Sequence, residues 1–344
     1  ELITITNKLE ILFLSDKQVN ELAANNMSEV MHDMERVLSL FDSGDAMCPD
    51  KAVMPWGKTI EDENTLGRLN AMPGYIGGEY DMAGIKWIGS SPQNYKIGLP
   101  RATVLVILND PITKIPVAIS DGTTVSAKRT GAVGGIAIKY LSVKNATTMT
   151  IFGAGAQSRT QLEAALLARP SIKTVYINDV MFERAETFAN EISEKYGVAV
   201  TAVKEPGEYC KKSDIIITVT IASEPIVHAD WIKKGALMMN MADYEFTDDC
   251  VRLADKIVVD NWKNIKHRKI STVALMYDRG LITDGDITAQ IGEIINGKKP
   301  GRENNNETIY FNAVGMGIED IAVVTRAYRK ALEQGVGTKV PYWE

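Results

Sequence analysis

The sequence has little cysteine, little histidine and no long apolar run. Its three cysteines, Cys48, Cys210 and Cys250, are an odd number without paired spacing, so they predict neither a disulfide framework nor a zinc site. The three histidines are scattered and form no metal-ligand pattern. The longest apolar stretch, residues 102–108, is far too short to cross a bilayer. We therefore expect a cytoplasmic protein with reduced thiols, no bound metal and no membrane partner.

An excess of positive charge is also missing. The 344 residues carry a net charge of −6, so nothing in the composition attracts the chain to nucleic acid or to an acidic membrane. With 45% hydrophobic and 24% charged residues, the length suits two globular domains, each with a core of its own.

The chain has two parts that differ in their predicted pattern of secondary structure. Residues 1 to about 125 contain one candidate helix (16–41), a Gly- and Pro-rich stretch and then short strands at 83–88, 102–109 and 116–121, which is typical of an α+β domain. From about 147 to 300, strands alternate with helices, which predicts a Rossmann-type, doubly wound parallel sheet, an α/β fold. The candidate strands of this second part are 148–152, 174–178, 215–220, 237–241 and 256–259. A helix over 124–141 joins the parts, and a helix over 314–334 is expected to pack back onto the first.

The segment from Met149 to Ser158 carries the most specific signal. A β-prone run leads into Gly153, Gly155 and Ser158, and an amphipathic stretch follows, so the order is strand, glycine turn, helix. Gly153 permits a tight turn, Gly155 lets the backbone approach a pyrophosphate, and the small Ser158 allows close packing of helix on strand. The first N–H groups of the helix would face the phosphates.

A second strand strengthens this interpretation. It ends in Asp179, 24 residues after Gly155, where a dinucleotide-binding fold has the acid that accepts hydrogen bonds from the adenosine ribose. A carboxylate there repels a 2′-phosphate, which favours NAD over NADP. The alternative is that Asp179 is simply a solvated strand end.

Two cations in the first part suggest a substrate with a carboxylate. Lys86 lies in an apolar strand candidate, and Arg129 lies at the start of a helix rich in small residues. An ammonium and a guanidinium directed at one point would clamp a carboxylate. The alternative is that each cation pairs with a nearby acid.

Four motifs resemble those of the ornithine cyclodeaminase/mu-crystallin family, and the resemblance spans about residues 10–335. In chain order they are Ala83-Gly-Ile-Lys86, Ser126-Ala-Lys-Arg-Thr-Gly-Ala-Val133, Phe152-Gly-Ala-Gly-Ala-Gln-Ser158 and Phe311-Asn-Ala-Val-Gly-Met-Gly-Ile-Glu-Asp320. The resemblance implies a substrate-binding and dimerisation domain (1–125 with 315–344), an NAD-binding domain (126–314) and a homodimer.

The resemblance also implies roles for individual residues. Lys86 would hold the carboxylate of an amino-acid substrate, and Arg129 would do the same or touch the cofactor. Lys51 stands where the family usually has arginine, which keeps the charge but loses the bidentate fork. The cofactor would contact Gly153, Gly155 and Ser158 of the turn, Ala156 and Gln157 at the pyrophosphate and Asp179 at the ribose, with Thr220, Asn240 and Ala313 nearby and Val314 at the substrate end.

The acid–base residue lies where the match is weakest. The family has an Asp after the fourth strand, in Gly-x-Asp-x-Pro-Gly-Lys-x-Glu-Leu, and this chain has Met241-Ala-Asp-Tyr-Glu-Phe. Asp243 fits the role, with Glu245 as the fallback, although Pro-Gly-Lys is absent and the segment is one residue short. A structural alternative is that Asp243 caps the following segment.

The expected reaction is ornithine cyclodeamination, which converts L-ornithine to L-proline and ammonia with NAD and without net oxidation. The alternatives are an L-amino-acid dehydrogenase, an imine reductase, an opine-type condensing dehydrogenase or a small-ligand binding protein of the mu-crystallin kind. These differ in the pocket for the distal side chain. We expect an insertion-like segment, residues 69–78, to shape that pocket together with Trp56 and Trp87.

Overall fold

The computed structural model describes residues 9–59, 61–62 and 66–343, so the ends of the predicted domains at 1–8 and 344 lie outside it. These residues divide into two compact units. Unit 1 comprises the described parts of residues 1–33, 43–129 and 316–344, and unit 2 comprises residues 34–42 and 130–315.

The described residues form sixteen strands, eleven α-helices and four short π- or 3-10-helical turns. The strands are β1 (Leu9–Leu14), β2 (Ala46–Met47), β3 (Ala52–Trp56), β4 (Gly67–Ile76), β5 (Met82–Ser90), β6 (Ala102–Asn109), β7 (Pro116–Asp121), β8 (Thr148–Phe152), β9 (Thr174–Asn178), β10 (Ala199–Ala202), β11 (Ile215–Thr218), β12 (Leu237–Asn240), β13 (Lys256–Val259), β14 (Ala289–Gln290), β15 (Ile309–Asn312) and β16 (Thr338–Trp343). The helices are α1 (Asp16–Val19), α2 (Met27–Asp42), α3 (Thr123–Leu141), α4 (Ala156–Ala168), α5 (Phe182–Tyr196), α6 (Gly207–Cys210), α7 (Asp248–Arg252), α8 (Trp262–Arg268), α9 (Thr272–Asp278), α10 (Ile291–Ile295) and α11 (Gly317–Gln334). A π-helical turn covers Asn20–Ala24, and 3-10 turns cover Asn94–Ile97, Ala229–Trp231 and Asp284–Asp286.

The sheet of unit 1 has the order β16-β1-β7-β6-β5-β4-β2, with β3 also paired to β4. Because side chains alternate along a strand, residues directly opposite one another share a face. One such row contains Met72, Lys86, Val106 and Ser120, all of them buried. Helix α11 packs against β4, β5 and β6. Lys86 therefore points into the core of unit 1 although it is a lysine.

The segment 69–78, expected to be insertion-like, is instead mostly a regular strand of the sheet. Residues 67–76 form β4, a strand of ten residues paired with β5 along its length. Pro73 obscured the pattern, since proline is rare inside sheets. On the edge of β4 that faces away from β5, β3 is paired as far as Ala71 and β2 is paired from Tyr75 onward. Pro73 lies between these pairings, where no described strand requires the N–H that proline lacks.

The sheet of unit 2 has the order β10-β9-β8-β11-β12-β15-β13-β14, and all its pairings are parallel. This confirms the α/β, doubly wound expectation, because β8, β9, β11, β12 and β13 occur where the alternation predicts strands, whereas β10 was not predicted. Strand β15 was missed, and it pairs between β12 and β13 although it follows both in sequence. The core packs around Phe152, Phe246 and Tyr310.

Two helix predictions need correction. The predicted single helix over 16–41 is broken into α1, a π-helical turn and α2, and Asn26 accepts hydrogen bonds from the N–H groups of Ser28 and Glu29, a local bond that starts α2 anew. Helix α11 begins at Gly317 rather than at Val314, because the N–H groups of Val314 and Gly315 are bonded to the Asp260 carboxylate instead. Within the described part of the chain, no helix is both long and apolar enough to cross a bilayer.

Candidate functional sites

The glycine turn of unit 2 joins β8 directly to α4. Gly153 has a φ of +96°, and a Cβ there would lie 2.9 Å from the carbonyl oxygen of Val219, so both conformation and space require glycine. Gly155 is different, because a Cβ at this position would meet nothing within 4 Å. The chain's own packing leaves this space open, immediately before the first N–H groups of α4. The turn therefore fits the pyrophosphate of a dinucleotide, which would occupy that space.

The first residues of α4 separate into two roles. Ala156 is exposed and Gln157 is half-buried at the helix start, where backbone N–H groups have no intrahelical partner. Ser158 is fully buried, and its hydroxyl donates to the Gly155 carbonyl over 2.7 Å. Ser158 thus stabilises the turn, while Ala156 and Gln157 present their N–H groups outward.

Asp179 is bonded to the glycine turn. One carboxylate oxygen accepts from the N–H of Ala154 over 2.8 Å, and the other accepts from the N–H of Met181 over 2.9 Å. Each oxygen retains a further lone pair. Asp179 is therefore a fixed acceptor beside the turn rather than a solvated strand end.

A buried polar network lies where β11 and β12 end. Glu245 is fully buried, and one of its oxygens accepts from the N–H and the hydroxyl of Thr220 at 2.7 and 2.6 Å. Its other oxygen accepts from the side-chain amide of Asn240 at 3.0 Å, and the same amide nitrogen donates to the Asp243 carbonyl. The hydroxyl of Tyr310, a residue of β15, donates a hydrogen bond to the side-chain oxygen of Asn240. Glu245 thus connects the loops that follow two adjacent strands.

The two candidate acid–base residues differ in their surroundings. Burial raises the pKa of Glu245, against the hydrogen bonds from Thr218 and Thr220, which lower it. Asp243 is half-buried, and within the described part of the chain no group hydrogen-bonds or ion-pairs with its carboxylate. The capping role considered for Asp243 is therefore not observed, and α7 begins after Thr247.

The backbone of the segment after β15 is hydrogen-bonded to an acid that the sequence analysis missed. Ala313 donates its N–H to the Asn240 carbonyl, and the N–H groups of Val314 and Gly315 donate to Asp260 at 2.8 and 2.7 Å. Asp260 is almost fully buried at the end of β13. Asp260 thus fixes the backbone of Val314 within unit 2.

Unit 1 brings Lys86 and Arg129 together on two acids. The Lys86 ammonium donates to Asp320 over 2.8 Å and to the Ser126 hydroxyl over 2.7 Å. The Arg129 guanidinium contacts Glu319 at 2.6 Å and Asp320 at 3.0 Å. All four charged groups are buried. The pairing with nearby acids, considered from the sequence as the alternative to a clamp, is therefore present in the structure.

The position of these groups follows from close packing. Lys86 belongs to the covered face of the unit 1 sheet, and Arg129 lies in α3. Glu319 and Asp320 are in the first turn of α11, where the helix dipole favours negative charge. A Cβ on Gly317 would lie only 2.4 Å from the Met72 carbonyl oxygen of β4, so glycine lets the helix start approach the sheet.

Burial changes the acidity of this lysine. Desolvation and then the Arg129 charge lower the pKa of Lys86 to about 8, while Asp320 and Glu319 oppose that change. The ammonium is therefore the charged form at neutral pH, and it is lost at moderately alkaline pH.

The remaining predicted residue, Lys51, is largely buried and immediately precedes β3 in unit 1. The structure thus brings Lys86 and Arg129 together in one cluster of unit 1. In unit 2 it places Asp179 beside the glycine turn, and it places Thr220, Asn240 and Asp243 together at the ends of β11 and β12. Among the residues that the structure describes, no set of three or more His, Cys, Asp or Glu residues is arranged to hold a metal ion. The sequence analysis assigned no role to Glu319 and Asp320, although two adjacent acids at the start of an apolar helix indicate buried ion pairs.

Comparison with known proteins identifies the family. Residues 10–335 match the model of the ornithine cyclodeaminase/mu-crystallin family. The chain belongs to this family.

Several members of the family resemble this chain over nearly its whole length. The alanine dehydrogenase of Archaeoglobus fulgidus is 34% identical, over 97% of this chain and 99% of its own. The N-((2S)-2-amino-2-carboxyethyl)-L-glutamate dehydrogenase of Staphylococcus aureus is 30% identical, over 96% of this chain and 98% of its own. The structure of Thermococcus litoralis Delta(1)-pyrroline-2-carboxylate reductase with NADH and L-proline superposes with a TM-score of 0.88, at 35% identity over 96% of this chain and 100% of its own.

Proposed function

We propose that this chain is an NAD-dependent enzyme that acts on the C–N bond at the α-carbon of an amino acid. The observation that carries the proposal is the buried Lys86–Arg129 pair in unit 1, in a family whose members at 30–35% identity are named for reactions of α-amino acids or their imines. We further propose that unit 1 binds substrate and forms the dimer, and that unit 2 binds the cofactor.

The cofactor proposal rests on the turn and on one acid. The open space at Gly155 and the N–H groups of Ala156 and Gln157 would receive the pyrophosphate. Asp179 would accept hydrogen bonds from the ribose and would repel a 2′-phosphate, which favours NAD over NADP. Bound there, the nicotinamide would supply a hydride acceptor or donor. Thr220, Asn240 and Ala313 would act by shaping the loops at this end of the sheet.

The substrate proposal rests on charge. Lys86 and Arg129 would contact the substrate carboxylate, because two desolvated cations bind a carboxylate through charge-assisted hydrogen bonds. Lys51 would add a third positive charge, and Val314 would contact the substrate through its backbone segment or its side chain. Such binding requires Lys86 to be charged, so affinity for the carboxylate falls as the pH rises through about 8.

Asp243 is the proposed acid–base residue. A group that carries protons to a substrate has to be reachable, and its acidity has to suit the working pH. Asp243 is half-buried and has no bonded partner in the described structure, whereas Glu245 is enclosed by donors that it holds in place. We therefore assign proton transfer to Asp243 and loop positioning to Glu245.

The finer reaction has two candidates. An imine reductase converts an imine, with NADH and a proton, into the amino acid and NAD⁺. An amino-acid dehydrogenase, in its reductive direction, converts a keto acid and ammonium, with NADH and a proton, into the amino acid, NAD⁺ and water, and an opine-type enzyme uses an amine in place of ammonium. Ornithine cyclodeamination, predicted from the sequence, instead yields proline and ammonia without net oxidation. We favour the first type, because the relatives described above are named as dehydrogenases or reductases.

One experiment separates these reactions. The protein is incubated with NAD⁺ or NADH and a panel of L-amino acids, keto acids with ammonia, and cyclic imines, and products are followed by mass spectrometry and nicotinamide absorbance. Net change in NADH with an amino acid, imine or keto-acid product supports the dehydrogenase or reductase. Ornithine converted to proline and ammonia without net NADH change supports the cyclodeaminase. Tight ligand binding without turnover supports a binding protein and overturns the enzyme proposal.

The homodimer proposal rests on the sheet face of unit 1 opposite α11. Two cross-strand rows on that face are largely apolar and only partly covered within the chain; they contain Ala71, Trp87 and Leu105, and Pro73, Ile85, Ile107 and Ile119. Trp87 is 40% exposed, and neighbouring β1 adds Phe13 at 41%. A contiguous apolar face of this kind is typical of a subunit interface, and a second copy is the simplest self-complementary partner.

Light scattering with size-exclusion chromatography tests the dimer. Trp87→Asp should convert the dimer to a monomer, because it places a charge at the centre of the apolar face. Leu167→Asp is the matched control, since Leu167 is 49% exposed in unit 2. A wild-type monomer at micromolar concentration contradicts the proposal.

The three free thiols and the net charge of −6 further support a reducing cytoplasm and the absence of a nucleic-acid partner.

A further inference from the structure

Asp320 contacts both cations of the buried pair. We propose that Asp320 is a positioning residue that holds the Lys86 ammonium and the Arg129 guanidinium side by side, with Lys86 charged, so that both are ready for the substrate carboxylate. The carboxylate-binding role of the two cations is the proposed function given above, and this inference rests on it.

The geometry shows a bridge. One oxygen of Asp320 accepts from the Lys86 ammonium at 2.8 Å, and the other lies 3.0 Å from the Arg129 Nε. Asp320 is fully buried, and the exposed fractions of the Lys86 and Arg129 side chains are 2% and 9%. The two cations come from different elements, β5 and α3, and a single carboxylate on α11 contacts both of them.

The electrostatics require such a bridge. Two desolvated cations repel each other strongly in a medium of low dielectric constant. The charged groups that act on Lys86 are Arg129 from α3 and Asp320 and Glu319 from α11, and Ser126 of α3 adds a neutral hydroxyl. Burial and Arg129 lower the pKa of Lys86, and Asp320 is the largest influence that raises it. Without Asp320, the pKa of Lys86 would be lower and a smaller fraction of Lys86 would be charged at neutral pH.

Glu319 provides a matched control in the same helical turn. It is fully buried like Asp320, but it bonds to the far nitrogen Nη1 of Arg129 at 2.6 Å. Its influence on the Lys86 pKa is smaller than that of Asp320. If Asp320 holds Lys86 in its charged form, neutralising Asp320 should lower the pKa of Lys86 more than neutralising Glu319 does. If both acids only support the fold, the two substitutions should affect Lys86 alike.

The test measures the Lys86 pKa directly, on the free full-length protein, by NMR of ¹³Cε-labelled lysine with the signal assigned from Lys86→Met. Asp320→Asn should lower the pKa of Lys86 by about 1–3 pH units, the usual effect of a nearby opposite charge, and Glu319→Gln should lower it clearly less. Equal shifts in the two variants, or no shift in Asp320→Asn, would overturn the proposal.

A kinetic arm adds the substrate. At pH 7.5, Asp320→Asn should raise KM for the amino-acid or imine substrate about tenfold or more, and the alkaline rise in KM should move to lower pH together with the Lys86 pKa. If the Lys86 pKa shifts as expected but wild-type protein neither binds nor converts any member of the substrate panel, the proposed function fails and the electrostatic role of Asp320 remains. If KM rises while the Lys86 pKa is unchanged, the positioning role fails and the proposed function remains.

A second variant covers the case in which Asp320→Asn does not fold. Lys86→Met combined with Asp320→Asn removes one cation together with the carboxylate, so the repulsion between Lys86 and Arg129 disappears. The double variant should then be more stable than Asp320→Asn alone. A double variant that is no more stable shows that Asp320 serves the fold through other contacts and contradicts the proposal.

Discussion

Replacing Glu245 with glutamine tests the buried network that joins the loops after β11 and β12. Thr220 donates twice to one oxygen of Glu245, so the glutamine carbonyl would remain on Thr220. The new amide nitrogen would then face the Asn240 amide nitrogen, which lies 3.0 Å from the second Glu245 oxygen. Two donors facing each other leave a buried donor unsatisfied, which costs about 1–3 kcal/mol.

The pH dependence has a definite sign. Because burial raises the pKa of Glu245 above its ordinary value of 4.5, its contribution to stability is fully present below that value and is lost as the pH rises through the pKa in the folded protein. The glutamine variant lacks this titration. The stability difference between wild type and Glu245→Gln should therefore be largest at acidic pH and decrease as the pH rises.

Chemical and thermal denaturation at a series of pH values measure this difference. A loss of 1 kcal/mol corresponds to about 2–4 °C in Tm for units of this size. Asp243→Asn is the control, because Asp243 is half-buried without a bonded partner in the described structure, and its stability should stay within about 0.5 kcal/mol of wild type. A Glu245→Gln protein as stable as wild type at every pH would refute the reasoning.

Three further predictions concern cofactor, catalysis and packing. Asp179→Ser should narrow the preference for NAD over NADP in calorimetric titration, and a native protein that prefers NADPH would contradict the assignment of Asp179. Asp243→Asn should reduce kcat by about 10²–10⁴-fold with NAD affinity retained, whereas an active Asp243→Asn beside an inactive Glu245→Gln would transfer the acid–base role to Glu245. Gly317→Ala should destabilise the protein by about 1–3 kcal/mol in denaturation, because its Cβ would lie 2.4 Å from the Met72 carbonyl oxygen; Gly285→Ala, whose Cβ would meet nothing closer than 3.6 Å, should be neutral.

Much of the fold could be predicted because local patterns determine it. The strands at 102–109, 116–121, 148–152, 174–178 and 256–259 have the bounds expected from alternating or continuous apolar runs between turn residues. The glycine turn was equally readable, since a strand, Gly153 and a helix start leave few backbone solutions.

The rest depended on contacts that are distant in sequence. Strand β4 was mistaken for an insertion-like segment because a proline inside a strand is tolerated only if its neighbour strands leave a gap, and pairing with residues distant in sequence decides that. Strand β15 lies between β12 and β13, an order that no local pattern contains. The buried ion-pair cluster could be predicted only in part, because Lys86 and Arg129 stood out in the sequence, whereas Asp320, more than 200 positions from Lys86, could not be assigned as their partner.

The two buried acids near the proposed chemistry do different work because their neighbours differ. Asp320 faces two cations, so its charge is compensated and it keeps Lys86 protonated. Glu245 faces neutral donors, so its charge is poorly compensated and burial raises its pKa. A carboxyl enclosed by Thr220 and Asn240 cannot pass a proton onward without breaking the bonds that hold both loops. Asp243 has no such constraint, and the hydrogen bond from Asn240 to its carbonyl fixes its backbone while leaving its carboxylate open. Glu245 therefore acts on Asp243 through Asn240, which leaves Asp243 as the acid–base residue that we propose.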